Sequence, residues 1–121
     1  MSKKKVYLFC SAGMSTSMMA AKMQDAADAY NLPVTVGAYS TSDIDKIVET
    51  DTPDCILLGP QARFLYRGIA DRFGDRIPVS VIDSRDYGAL NGERVLKQAL
   101  LLIRQKKEER ERSQGQGEGQ G

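Results

Sequence analysis

Four short apolar runs, each followed by a stretch with helical spacing, constrain this chain more than any other feature. The runs are VYLFC at residues 6–10, VTVGAY at 34–39, DCILL at 54–58 and VSVI at 79–82. The first is almost continuously apolar and rich in strand formers, as expected of a strand buried on both faces of a parallel sheet. After it, Met19, Met23, Ala26, Ala27 and Tyr30 fall on one helical stripe, with Lys22, Asp25 and Asp28 away from it. Asn31 and Pro33 stop that helix. A Ser-Asp cap signal opens a short helix over 42–48. Gly59-Pro60 breaks the chain before a helix over 61–73, which Gly74 ends. A last helix runs from Gly88 to about Lys107, with Val95, Leu96, Ala99, Leu100, Leu102 and Ile103 as its apolar positions. Alternation in such short steps predicts an α/β fold with helices on both faces of a four-stranded parallel sheet. The expected strand order is 2-1-3-4, a small flavodoxin-like arrangement. Ligands of such sheets sit beyond the C-terminal strand ends, beside the point where strand order reverses. Cys10 lies there.

A length of 121 residues suits one domain with a real core. After Lys107 the character changes: 108–112 is a charge run and 113–121 reads SQGQGEGQG. Such a stretch buries no apolar surface, so the expected division is a domain over 1–107 and a disordered tail over 108–121. The formal net charge is +1, which argues against nucleic-acid binding through bulk charge. The chain has no histidine, so neither histidine general-base chemistry nor a His-ligated metal site is available within it. No metal and no cofactor are expected. Two distant cysteines make neither a disulfide framework nor a zinc site, and reduced thiols suit the cytoplasm. The apolar run after Lys3–Lys5 is too short for a signal peptide or a bilayer span. Any membrane association is expected to go through a partner.

The stretch with chemical content is Cys10-Ser11-Ala12-Gly13-Met14-Ser15-Thr16-Ser17. A cysteine ends a buried strand, a loop of small residues over 11–17 follows, and a helix is expected from Met18. Backbone N–H groups of such a loop can form an anion cradle, and the helix N-terminus adds unpaired N–H groups and the positive end of its dipole. Gly13 allows a φ that other residues avoid. The hydroxyls of Ser11, Ser15, Thr16 and Ser17 are further donors. A thiol beside this cradle is expected to titrate below the free value of about 8.5 and to act as a nucleophile. The other reading is that Cys10 is a core residue and the serines are caps, since free cysteine is among the most buried residue types. The strand–cysteine–loop–helix order favours the first.

The spacing resembles the phosphate loop of low-molecular-weight tyrosine phosphatases, C-x5-R-S, with Thr16 in place of the clamping arginine. That departure counts against a phosphomonoesterase. The third alternative is a non-catalytic phosphate-binding module. Over residues 4 to about 106 the chain more closely resembles the IIB components of lactose/cellobiose-type (including chitobiose-type) bacterial phosphotransferase systems. The stretches that carry this are YLFCSAGMSTS at 7–17, LLGPQ at 57–61 and VIDSRDYG at 81–88. The resemblance implies a cytoplasmic phosphoryl carrier. Its cysteine, Cys10 here, takes phosphate from a phosphohistidine of a IIA partner. It then passes the phosphate to a sugar held by a membrane IIC permease, and the implied sugar is a β-linked disaccharide such as cellobiose or chitobiose. Residues 11–17 would form the phosphate loop. The sequence demands no more than a monomer.

The rim beyond the other strand ends supplies Gly59, Pro60 and Gln61, with Gln61 a candidate contact to the loop, and Asp83 and Tyr87. Asp83 or Asp86 is a candidate general acid by comparison with the phosphatases, although a helix cap is the plainer role. Tyr87 suits packing or partner contact. Arg63 and Arg67 suit a solvated helix face, Met14 a partner contact, and Met18, Met19 and Met23 core filling. Cys55 opens the third strand, about four residues along from the level of Cys10, or roughly 13 Å. A disulfide needs Cα atoms within about 7 Å, so Cys55 is expected to be an inert core thiol.

Overall fold

The computed structural model describes residues 3–11 and 14–120, with the side chains of Met14, Ser15 and 113–120 left out of the description. The elements run β1 (Lys4–Cys10), α1 (Met14–Ala29), β2 (Val34–Ser40), α2 (Ile44–Asp51), β3 (Cys55–Leu58), α3 (Tyr66–Phe73), β4 (Val79–Val81), α4 (Ser84–Gly88) and α5 (Gly92–Gln120). Short 3-10 segments at Thr41–Asp43 and Pro60–Leu65 lead into α2 and α3. The sheet has the order β2-β1-β3-β4 with every pairing parallel, as the alternating pattern predicts.

Strand parity divides the core between the two faces of the sheet. Val6, Leu8, Cys55 and Leu57 pack with Met19, Met23 and Ala27 of α1 and with Val95, Leu96 and Ala99 of α5. Tyr7, Phe9, Ile56 and Leu58 point the other way, toward Ile44 and Val48 of α2 and Ile69 of α3. β1 is therefore buried on both faces from Val6 to Cys10, which is why its sequence is an unbroken apolar run. The chain steps from β1 to β2 in one direction and from β2 to β3 and β4 in the other, so its helices fall on opposite faces. The reversal lies at β1 and β3.

Several boundaries differ from those the sequence suggests. α1 begins at Met14 instead of Met18, so Thr16 and Ser17 belong to its first turn and not to a loop. It ends at Ala29, and Tyr30 is more than half exposed instead of lying on the buried stripe. Asn31 closes the helix with φ 54°: its N–H donates to the Asp28 carbonyl, and the Leu32 N–H to that of Ala27. This is a left-handed cap that asparagine tolerates. The stretch expected as one helix over 61–73 opens as 3-10 and becomes α-helical only at Tyr66. The last helix, expected from Gly88, begins at Gly92 as α5, and an additional short helix, α4, precedes it and ends at Gly88. Asn91 caps α5, its Oδ1 accepting from Arg94 N at 3.2 Å. Where the composition suggests disorder after Lys107, the α5 backbone continues as helix to Gln120, and residues 108–112 are exposed throughout.

Candidate functional site

Cys10 is the last residue of β1, and α1 starts four residues later. The order thus aims the N-terminus of a sixteen-residue helix at the end of the central strand. N–H groups of that first turn have no partner within the helix, which makes the strand end a place where negative charge is favoured. Of the expected loop, Ser11 is exposed, and Ala12 and Gly13 lie outside the described residues. The backbone of Met14 and Ser15 opens α1, and Ser17 is an exposed residue of the same turn.

The Cys10 side chain is fully buried. Its Sγ lies 3.9 Å from Oε1 of Gln61, a distance and pairing suited to a weak S–H donor. Gln61 is placed by the 3-10 segment that follows β3, and Pro60 starts that segment at a position where a missing N–H costs nothing. Gly59 closes the strand end: its N–H donates to the Phe9 carbonyl at 3.0 Å. A methyl group on Gly59 would sit 3.4 Å from Cys10 Sγ and 3.3 Å from Gln61 Oε1. Glycine at 59 therefore leaves the room in which thiol and carboxamide meet. Gln61, read from the sequence as a candidate contact to the 11–17 loop, stands beside Cys10 itself.

Asp83 is the N-cap of α4. Its Oδ1 accepts from Arg85 N at 2.8 Å and from Asp86 N at 3.4 Å. Those backbone donors hold its carboxyl below the usual carboxylate range. A depressed, exposed, capping carboxylate is a poor general acid, so the cap is the role the geometry supports. Asp86 is bound to Arg94, whose Nε lies 3.1 Å from Oδ2.

Tyr87 packs inside instead of standing on the rim. It is 7 % exposed, and its Oη lies 3.2 Å from Oγ1 of Thr16, itself completely buried. Sequence reasoning missed this pair, because no local signal links residues 71 apart. Met18, read as core filler, is 57 % exposed on α1, and Phe64, not singled out, is 73 % exposed just beyond Gln61. Cys55 pairs in register with Val6, four residues before Cys10 on β1, and the two thiols form no disulfide. Burial, reinforced by the nearby charge of Asp54, pushes the Cys55 thiol up to about 12. Cys55 is inert at neutral pH.

Among the described residues there is no group of three or more Cys, Asp or Glu able to hold a metal ion, and no helix long and apolar enough to cross a membrane.

The sheet order and the switch point at β1 and β3 define a flavodoxin-like α/β domain, the class that also includes the low-molecular-weight phosphatases. Residues 5–98 match the family described as "PTS system, Lactose/Cellobiose specific IIB subunit", and the chain belongs to that family. It is 39% identical over 103 residues to the galactose-specific EIIB component of Lactococcus lactis subsp. cremoris, covering 82% of this chain and 95% of that one. It is 36% identical over 104 residues to the oligo-beta-mannoside-specific EIIB component of Bacillus subtilis, covering 83% and 96%. The solution structure of a cellobiose-specific IIB component from Borrelia burgdorferi superposes with a TM-score of 0.71 at 32% identity, covering 86% of this chain and 94% of that chain. The lactose-specific IIB domain of Streptococcus pneumoniae, at 22% identity and a TM-score of 0.67 over 81% and 95%, shares the fold. The chain is thus a phosphoryl carrier of a sugar phosphotransferase system, a transferase that works between IIA and IIC components.

Proposed function

We propose that Cys10 is the residue that carries the phosphoryl group. It takes the group from a phosphohistidine of a IIA component and delivers it to a sugar bound by a membrane IIC permease. The observation that carries this reading is the position of Cys10, which ends the central strand and directly precedes the N-terminus of α1, in a chain of the IIB family. In the first step the Cys10 thiolate attacks phosphorus, the P–N bond breaks, and the imidazole keeps the electron pair. In the second a sugar hydroxyl attacks, the S–P bond breaks, and the thiolate leaves. The hydroxyl proton goes to a base outside this chain, which has no histidine. Each displacement is in line, so positioning and charge stabilisation are the protein's main contributions.

Residues 11–17 hold no lysine or arginine. Charge on the phosphoryl oxygens is then met by backbone N–H groups of that stretch and by the first turn of α1. Donors of this kind leave a phosphocysteine labile toward its acceptor, without the guanidinium clamp of a phosphatase.

Both partners must reach one sulfur, so they share one docking face. On it stand Ser11, Ser17, Pro60, Gln61 and the exposed Asp83, around the buried Thr16 and Gly59, and it is extended by exposed Met18 and Phe64. The chain acts as a monomer on the cytoplasmic side and meets the membrane through the permease. Its sugar is a β-linked disaccharide of the cellobiose or chitobiose kind, a reading favoured by the Borrelia burgdorferi component named for cellobiose and the Bacillus subtilis one named for oligo-beta-mannosides. Its folded unit ends near Lys107. Shift mapping by NMR with a IIA protein should perturb the Cys10 end of the sheet. Changes centred on the opposite strand ends, near Lys4 and Pro78, would contradict the shared face.

A further inference from the structure

We infer that Tyr87 is a positioning residue for phosphoryl transfer, acting through the Thr16 hydroxyl to fix the first turn of α1 over Cys10; the inference rests on Cys10 being the acceptor. Thr16 is a buried polar residue in the turn that must meet phosphoryl charge. A buried hydroxyl needs a partner, and Tyr87 Oη of α4, 3.2 Å away, supplies one from 71 residues along the chain. The tyrosine is itself held in place. Its backbone N–H donates to the Asp83 carbonyl at 2.9 Å, and Asp83 caps the α4 helix from which the ring projects. Asp86 of the same helix is tied to Arg94 of α5. The ring packs into the core beside residues of α1 and α5. α4 thus meets the first turn of α1 through this pair of hydroxyls.

Either hydroxyl can donate across this contact. When the phenol, the stronger acid of the two, donates to Thr16, the Thr16 hydrogen stays available to a neighbouring acceptor. Hydrogen bonds in sequence also strengthen one another. The backbone N–H of Thr16 lies on the same turn, so a shift of its side chain also moves the unpaired donors of that turn. A small misplacement of a reacting group is costly in rate.

The test compares Tyr87→Phe, Thr16→Val, Thr16→Ser and the Tyr87→Phe/Thr16→Val double variant with the parent. Each is read for phosphate acceptance from a phosphorylated IIA protein and for the thiolate titration of Cys10 by ultraviolet absorbance. Cys55, at about 12, stays silent in the working range. We expect Tyr87→Phe and Thr16→Val each to slow acceptance roughly ten- to a hundredfold and to move the Cys10 titration upward. Thr16→Ser should stay near the parent, because it keeps the hydroxyl. The double variant should be no slower than the worse single variant, since both break one contact. The inference is overturned if Tyr87→Phe keeps the parental rate and titration, if Thr16→Ser is as slow as Thr16→Val, or if the two single effects multiply. Should Tyr87→Phe fail to fold, the Thr16 pair still decides. A Cys10→Ser control that still accepts phosphate would instead overturn the identity of the acceptor.

Discussion

At Gly59 an added methyl group would stand in contact with both the thiol and the carboxamide of the site. The space above the glycine is occupied by Cys10 Sγ and Gln61 Oε1, each within 3.5 Å of where a methyl group would stand. Gly59→Ala should therefore lower phosphate acceptance about tenfold while leaving the melting temperature within a few degrees. Acceptance equal to the parent would mean that the thiol and carboxamide do not need this room. Cys55 is the complementary case. It is buried as deeply as Cys10, but it lies at the opposite end of the pairing register and in an apolar layer. Cys55→Ser should keep transfer and lose about 1–3 kcal/mol of stability, because a buried hydroxyl replaces a thiol there. A melting curve and a transfer assay on one sample check both halves. The place of Cys10, at a strand end just ahead of a helix, was legible from the sequence, since strand, small residues and helix follow one another locally. The Thr16–Tyr87 contact was not, because it joins segments that meet only after α4 docks. The contrast between the exposed Met18 and the buried Met19 depends on the helical phase, and counting methionines does not reveal it.

At the scale of elements, the four strands and their order could be read from the alternation of apolar runs, because a doubly covered strand leaves no polar position to blur the pattern. Helix starts were harder to read. α1 begins among serines and a threonine, residues whose propensity suggests loop but whose side chains suit a first turn. α4 has five residues, too few to show a period, and its Gly88 imitates a breaker. Its N-cap can be tested by pH. The Asp83 carboxyl is depressed by the donors it accepts, so its contribution is complete above the ordinary carboxylate value of about 3.9 and is lost as pH falls through the lower folded value. Asp83→Ala should melt lower than the parent by a gap that is constant above about pH 5 and narrows at more acid pH. A gap that widens on acidification would contradict the cap. The packing of α1 on α5 makes a second demand. A Cβ at Gly92 would lie 2.6 Å from the Met23 backbone nitrogen. Gly92→Ala must therefore push two helices apart, at a cost of about 1–3 kcal/mol. A melting temperature lower by roughly 4–8 °C for each kcal/mol is the expected reading, and an unchanged one would show that α5 can shift without loss.

For the whole molecule, the doubly wound sheet concentrates function at one end. The ends of β1 and β3, the start of α1 and the cap of α4 all meet there, and the helices behind them supply the core. The α5 extension beyond Lys107 takes little part in that core. Residues 108–112 are exposed, their ion pairs with Arg104 and Lys106 lie on the surface, and Arg110 donates to the Arg76 carbonyl at the far side. Truncation after Lys107 should leave phosphate acceptance at the parental rate and the melting temperature within error. A loss of several degrees would show that the extension belongs to the folded unit. The composition of the tail indicated that it would bury no apolar surface. The Gly/Gln-rich run of 113–121 hid the continuation of the helix, although the charged residues of 108–112 are themselves good helix formers. The central claim is the identity of the acceptor, and its most direct test is to map the phosphate after incubation with a phosphorylated IIA protein. The account predicts one phosphate, on Cys10, absent from Cys10→Ser and retained in Cys55→Ser. Phosphate found on another residue, or a Cys10→Ser protein that passes phosphate to sugar at a rate near the parent's, would contradict it.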